Sequence, residues 1–243
     1  MYKTDKHIPT DIKDFLDELL GRTEGYDVYL GGGYLRDVYW NLLNVKGLHF
    51  AHGKWWGGSL CYTEAKNPKD LDIFFIPQVD AVSFELPVLP KTYINYDIMA
   101  EDIPNVRDNV KRVRGLFNSN LSTRDIQFIV YDKPMTMKML AEDMDTSINQ
   151  AMYCPMTQLS YCTNAFYNSH EDKTIEMLHE FEVERMYGRL KRMQSKFPDY
   201  KLVHNISEEE WLRLEIENIK PKKSGSISGG CGSFIDDGFD QAL

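Results

Sequence analysis

The chain is poor in cysteine, in long apolar runs and in positive charge. Only four cysteines occur in 243 residues, Cys61, Cys154, Cys162 and Cys231, and none stands in CxxC spacing. Reduced thiols in a cytoplasmic protein are therefore the expectation. No apolar run reaches the roughly 18 residues of a membrane-spanning helix. The opening Met1-Tyr2-Lys3-Thr4-Asp5-Lys6-His7 is polar and lacks the core of a signal peptide. Lys and Arg number 28 against 37 Asp and Glu, a net charge of -9, which argues against a general cationic coat for nucleic acid. Only a local basic track can serve that purpose. The dinucleotide fingerprint GxGxxG is also missing. Gly31 and Gly33 fit its first two positions, but Leu35-Arg36 stands where the third glycine belongs. His49, His52 and Cys61 lack a fourth partner for zinc.

What is present is ordinary in bulk: 42% hydrophobic and 27% charged residues, as in soluble globular proteins. Apolar residues at helical spacing, Ile12, Phe15, Leu16, Leu19 and Leu20, predict a first helix with Thr10 as its cap and Gly21 as its stop. Tyr26 to Leu30 predicts a buried strand, and Leu35, Val38, Tyr39 and Leu42 a helix after it. Further strands are expected at Leu71 to Ile76 and Ile126 to Tyr131, with loops and one strand at most across 77–105. Short helices are expected over 135–142 and 145–152. A long helix is expected from Ile175 through Met193, ending before Pro198. Ser207 and Glu210 form a capping box for a last helix. The expected organisation is an α/β (α+β) head over 1–165, a helical extension over 166–220 and a flexible Gly/Ser-rich tail over 221–243.

Two features carry chemistry. Gly31-Gly32-Gly33 lies between a strand and a helix, where backbone N–H groups and the helix dipole can receive phosphate oxygens. Asn67-Pro68-Lys69-Asp70-Leu71-Asp72-Ile73 opens the next strand. Alternation places Asp70 and Asp72 on one face, about 7 Å apart along the strand. Such a pair suits Mg²⁺, which takes carboxylate oxygens together with substrate phosphates. Alone, each feature has a plain structural explanation: a tight turn, and a solvated strand start. Their succession in sequence is more informative than either.

The segments Gly32-Gly33-Tyr34-Leu35-Arg36-Asp37 and Lys69-Asp70-Leu71-Asp72-Ile73 resemble the GGxVRD and KDxDI motifs of the bacterial-type (class II) tRNA nucleotidyltransferases and poly(A) polymerases, within the polymerase-β-like superfamily. Asp145-Thr146-Ser147-Ile148-Asn149-Gln150-Ala151 resembles the RRDFTINA segment, with Asp143 and Met144 in place of the two arginines. Glu182-Val183-Glu184-Arg185 resembles EDxxR, with glutamate for aspartate. The resemblance implies a head with a small mixed sheet flanked by helices. It also implies a nucleoside triphosphate substrate, a two-metal Mg²⁺ site at Asp70 and Asp72, and nucleotide contacts at Gly32, Gly33, Arg36, Asp145, Asn149, Glu182 and Arg185. A third carboxylate is expected on a neighbouring strand. Asp125, heading Ile126 to Tyr131, fits that place as a further metal ligand and as base for the attacking hydroxyl, and Asp145 competes with it.

The implied reaction moves a nucleoside monophosphate from the triphosphate to an RNA 3′ end, tRNA foremost, with pyrophosphate released. Arg112, Arg114, Arg189 and Arg192 are the candidate RNA contacts, the last two on a helical stripe with Arg185 and Lys196. Trp55 and Trp56 are candidates for stacking on bases. The gap between Asp37 and Lys69 is longer than in the family pattern, and the helical body is short. Two other readings therefore stand beside this one: the same chemistry on a protein or small-molecule acceptor, and a head that binds nucleotide or RNA without turnover.

Overall fold

A computed structural model gives the structure of the chain and describes residues 2–3, 8–44, 49–51, 54–56, 68, 70–79, 85–103, 109–118, 121, 125–179 and 181–219. The tail over 221–243, His52 and Cys61 lie outside these residues, as do the side chains of His49, Trp55 and Trp56.

Eight strands form one mixed sheet. In chain order they are β1 (Tyr2–Lys3), β2 (Tyr26–Gly31), β5 (Asp70–Pro77), β6 (Thr92–Met99), β7 (Val110–Asn118), β8 (Asp125–Tyr131), β9 (Ala151–Cys154) and β10 (Leu159–Cys162). Their spatial order is β1-β10-β9-β2-β5-β8-β7-β6. The β5–β8 pair is parallel, and the other pairs are antiparallel. The strands β3 (His49–Ala51) and β4 (Lys54–Trp56) form a separate hairpin.

Both faces of the sheet are covered, which is why every residue of β5 is buried. Leu71, Ile73 and Phe75 pack with α1 (Thr10–Leu20) and α2 (Gly32–Asn44) on one face. Phe74 and Ile76 pack on the other with α3 (Met137–Glu142), through Leu140 and Ala141. Each fully buried side chain of this size contributes about 1.5–3 kcal/mol. The α1 periodicity is as expected, with Ile12, Phe15, Leu16 and Leu19 buried. Its N-cap position, however, is Pro9 rather than Thr10, and no side chain caps it.

One strand stands where no element was expected, and two expectations need correction. The basic segment around Lys111 is a strand, β7, inserted between β6 and β8. Residues 145–152 are not a helix but a 3-10 turn at Ser147–Asn149 running into β9. Ile175 belongs to β11 (Thr174–Glu176), paired parallel with β12 (Lys201–Val203), so the long helix α5 spans only Val183–Lys196. The helix α4 (Asn164–Asp172) precedes β11.

A third apolar cluster joins the turn at Ile148, Ile175, Leu190 and Met193 of α5, and Leu214 of α6 (Glu208–Ile219). Trp40 of α2 packs against it. The Ser207 hydroxyl caps α6, accepting from the Glu210 N–H at 3.3 Å and donating to the Glu210 carboxylate at 2.9 Å.

His170 of α4 sits in this junction between the rings of Phe166 and Tyr200, with Nδ1 2.9 Å from the Tyr200 hydroxyl. Burial, helped by the charge of Arg36, pushes its pKa down to about 4. The unfolded chain binds this proton near pH 6.5, so stability is lost as the pH falls from there toward 4. Melting temperatures measured between pH 4 and 8 are expected to show this slope, and His170→Phe to flatten it. An identical slope in the variant would remove His170 as its source.

Candidate active site

The strand-to-helix turn and the acid pair meet because β2 and β5 are neighbours. Gly31 ends β2 directly opposite Asp72. Gly32 then turns with φ +62°, the left-handed region that favours glycine, and opens α2. A Cβ on Gly32 would collide with the Asp72 carboxylate, so the side chain lies against bare backbone. The Gly33 N–H donates to Asp72. The first turn of α2 is thus tied to this carboxylate through Gly33.

Asp70 and Asp72 share one face of β5, and both are buried. Burial first, and then the charge of Asp70, raise the Asp72 pKa to about 7, while Arg189, the Gly33 N–H and Arg36 oppose the rise. Oδ1 of Asp72 is buried without a hydrogen-bond partner. A buried, unpartnered carboxylate oxygen beside a second carboxylate is a donor set that fits a hard divalent cation.

Register sorts the third acids. Asp125 pairs with Asp70 across β5 and β8, but it begins its strand and is exposed. The place beside Asp72 belongs to Gln127, an amide that is buried. Among the described residues, no group of three or more His, Cys, Asp or Glu side chains is arranged to hold a metal ion. Asp145, the other candidate, is buried and held by Arg189, whose Nη2 donates to Oδ1 at 3.0 Å and whose Nε contacts Oδ2.

Arg36 is 2% exposed, and its guanidinium is committed inside the protein. Nε donates to Asp37 at 2.8 Å, and Nη1 donates to Oδ1 of Asn149 at 3.0 Å and to the sulfur of Met193 at 3.1 Å. Asp37 also accepts from Lys196 at 2.7 Å. Burial alone would raise the Asp37 pKa, but these two cations outweigh it and hold the carboxyl below its usual range. Arg36 and Asp37, in the first part of α2, are therefore tied to the turn at Asn149 and to Met193 and Lys196 of α5. Glu182 occupies the N-cap position of α5 and is exposed. One turn on, Arg185 lies over the Phe181 ring at 4.5 Å.

The candidate basic residues divide: Arg114 and Arg189 are buried, Arg112 is half-buried and Arg192 is exposed. Arg112 and Arg114 of β7 both donate to Asp97 of β6, at 2.5–2.6 Å and 2.6–2.9 Å, and Arg114 also donates to the Leu86 carbonyl. Burial would raise Asp97, yet these guanidinium bonds hold it below the carboxylate range. On α5, Arg189 turns to Asp145 and Lys196 to Asp37, and Arg192 is the exposed member of the stripe. The stripe expected from the spacing is thus divided, with Arg189 and Lys196 turned to buried acids of the head and Arg192 in solvent. The pairings of α5 with residues 44 and 159 positions away carry no local signal.

Two substitutions are expected to act in opposite directions. Arg189→Met strands the Asp145 charge in the interior and is expected to cost about 3–5 kcal/mol. Arg192→Met, on the surface, should stay within about 0.5 kcal/mol. Urea unfolding checks both, and equal losses would contradict the inward turn of Arg189. Asp72→Asn is expected to raise the melting temperature of the metal-free protein at pH 8, and by less at pH 5. A carboxyl raised from about 3.9 in the unfolded chain to about 7 in the fold penalises folding progressively across that range. A lower melting temperature at pH 8 would be incompatible with a buried charge there.

No family model and no curated protein matches the chain. Solved structures do. A tRNA-processing enzyme in its apo form I aligns with TM-score 0.50 and 15% identity over 89% of this chain and 49% of its own. A Thermotoga maritima CCA-adding enzyme complexed with tRNA aligns with TM-score 0.49 and 16% identity, over 88% and 44%. A complex of CCA-adding enzyme with CTP gives 0.47 and 14%, over 88% and 44%. The chain spans about half the length of the structures it matches. The chain thus shares the fold of the part of that tRNA-processing enzyme with which it aligns.

Proposed function

We propose that the chain is a Mg²⁺-dependent nucleotidyltransferase that moves a nucleoside monophosphate from a nucleoside triphosphate to an RNA 3′ end, with tRNA as the acceptor and pyrophosphate as the leaving group. The observation that carries this reading is the closure of the Gly31–Gly33 turn on Asp72, which brings a phosphate-receiving helix start and a carboxylate pair to one place. The shared fold with a tRNA-processing enzyme supports the choice of acceptor.

In this reading Asp70 and Asp72 hold Mg²⁺, and the unpartnered Oδ1 of Asp72 is the free ligand oxygen. Bound Mg²⁺ supplies charge neutralisation on the triphosphate and lowers the pKa of the attacking hydroxyl. Gly32 and Gly33 receive phosphate oxygens at the positive end of α2. Arg36 acts from below by fixing the turn to Asn149 and α5. Asp125, the exposed acid next to Asp70, takes the proton of the attacking hydroxyl. Asp145 holds Arg189 and so seats α5, whose first turn offers Glu182 and Arg185 to the incoming base.

A second reading keeps the chemistry and changes the acceptor to a protein or small molecule. The burial of Arg114 and Arg189 in ion pairs favours it, because these two cations are spent within the fold.

Each labelled triphosphate, offered with Mg²⁺ and pooled tRNA, distinguishes the readings by where the label goes. Label in RNA is the expected result, and Asp70→Asn and Asp72→Asn should each abolish it. Label in protein or a small molecule favours the second reading. Full transfer by either variant would sink the carboxylate mechanism. Binding of triphosphate without transfer to any acceptor would leave a non-catalytic module.

A further inference from the structure

One row of residues crosses the sheet through the acid pair. Pairing runs from Tyr96 of β6 to Gly115 of β7, Gln127 of β8, Asp72 of β5 and Gly31 of β2. Residues paired in register point to the same face, so Tyr96, Gln127 and Asp72 stand side by side.

Gly115 is the gap in that row. A Cβ there would collide with the Tyr96 ring at Cδ1, Cε1 and Cζ. The phenol therefore lies flat across the backbone of β7 and reaches β8, where Tyr96 and Gln127 share a side-chain hydrogen bond. A glycine within a strand often marks such a close approach. The bond is of the kind that favours the phenolate, so the Gln127 amide N–H donates to the Tyr96 oxygen. Burial first and then Asp72 raise the Tyr96 pKa, Asp70 and Asp125 adding to the rise, so the phenol keeps its proton.

The consequence concerns Asp72. A buried amide beside a buried carboxylate would ordinarily donate to it, since an unmet carboxylate oxygen is costly. Yet Oδ1 of Asp72 has no hydrogen-bond partner, and the amide next to it is drawn toward Tyr96. We infer that Tyr96, laid across Gly115, is a positioning residue that holds the Gln127 amide away from Asp72 and so leaves Oδ1 open to a divalent cation. This rests on the reading of Asp70 and Asp72 as the cation site. It assigns to Tyr96 and Gln127 a function that neither the acid motif nor the glycine turn contains.

The test is calorimetric titration of the full chain with Mn²⁺, without nucleotide. Tyr96→Phe keeps the ring over Gly115 but releases the amide to Asp72, and is expected to weaken Mn²⁺ binding roughly tenfold, as loss of partners around a metal ligand commonly does. Gln127→Leu removes the donor. In the double variant Tyr96→Phe/Gln127→Leu, binding should return to within about threefold of the unaltered protein, at the low end of such effects. A merely structural role for Tyr96 predicts the reverse, with the double variant no better than the single one. Unchanged Mn²⁺ affinity in Tyr96→Phe, or no recovery in the double variant, would overturn this inference and leave the cation site standing. No Mn²⁺ binding by the unaltered protein, with Asp72→Asn indistinguishable from it, would overturn both.

Discussion

The structure depends on the contact between a glycine with no side chain and a carboxylate with no room. Gly32 turns in the left-handed region where Asp72 fills the space a Cβ would need. Three things follow from that approach. The sheet is tied to α2 through the Gly33 N–H. The acid is removed from water at the point where its partner Asp70 repels it. The helix start is left against Asp72, because Gly31 ends β2 opposite that acid and Gly32 turns directly into α2. A bulkier residue at position 32 would displace the carboxylate, the helix or both.

Behind this contact lies a layer of buried charge. Arg36 and Lys196 share Asp37, and Arg189 holds Asp145. Such pairs add little net stability compared with apolar packing, but removing one member is costly. Their effect here is geometric. They fasten α5 to the underside of the glycine turn in a single register, with Leu190 and Met193 sealing the junction. The helical extension is therefore continuous with the head in its chemistry, although its sequence differs in character from the head. The same commitment buries Arg189 and ties Lys196 to Asp37, in a chain whose net charge is already -9.

Much of this was readable in advance where the signal was local. Alternation in Asp70 to Ile76 gave the strand and the shared face of the two acids, and the helical spacing in α1 gave its buried residues. The glycine turn was visible because few residues can leave a strand so sharply. What escaped was non-local. β7 reads as a basic cluster, because the carboxylate that neutralises Arg112 and Arg114 sits on another strand, at Asp97. The segment at 145–152 reads as helix until β2 and β10 claim its backbone for β9. Gln127 carries no mark of its own. Its one sequence-level hint is Gly115 in the middle of a strand two ladders from the acids, and that hint gains meaning only once the register is known.

Tyr96 belongs to β6, the last strand in the sheet order, bonded to β7 along one side. Strands in that position are held by half the ladder of an inner strand and open at lower free energy than the core. Each opening carries the phenol off Gly115 and frees the amide beneath it. The inner acids sit in the most buried strand of the molecule, while the group that keeps one of them available sits on its outermost ladder. On the role inferred for Tyr96, breathing at the sheet margin would govern the readiness of the centre for a cation, and changes on β6 would tune it without touching β5.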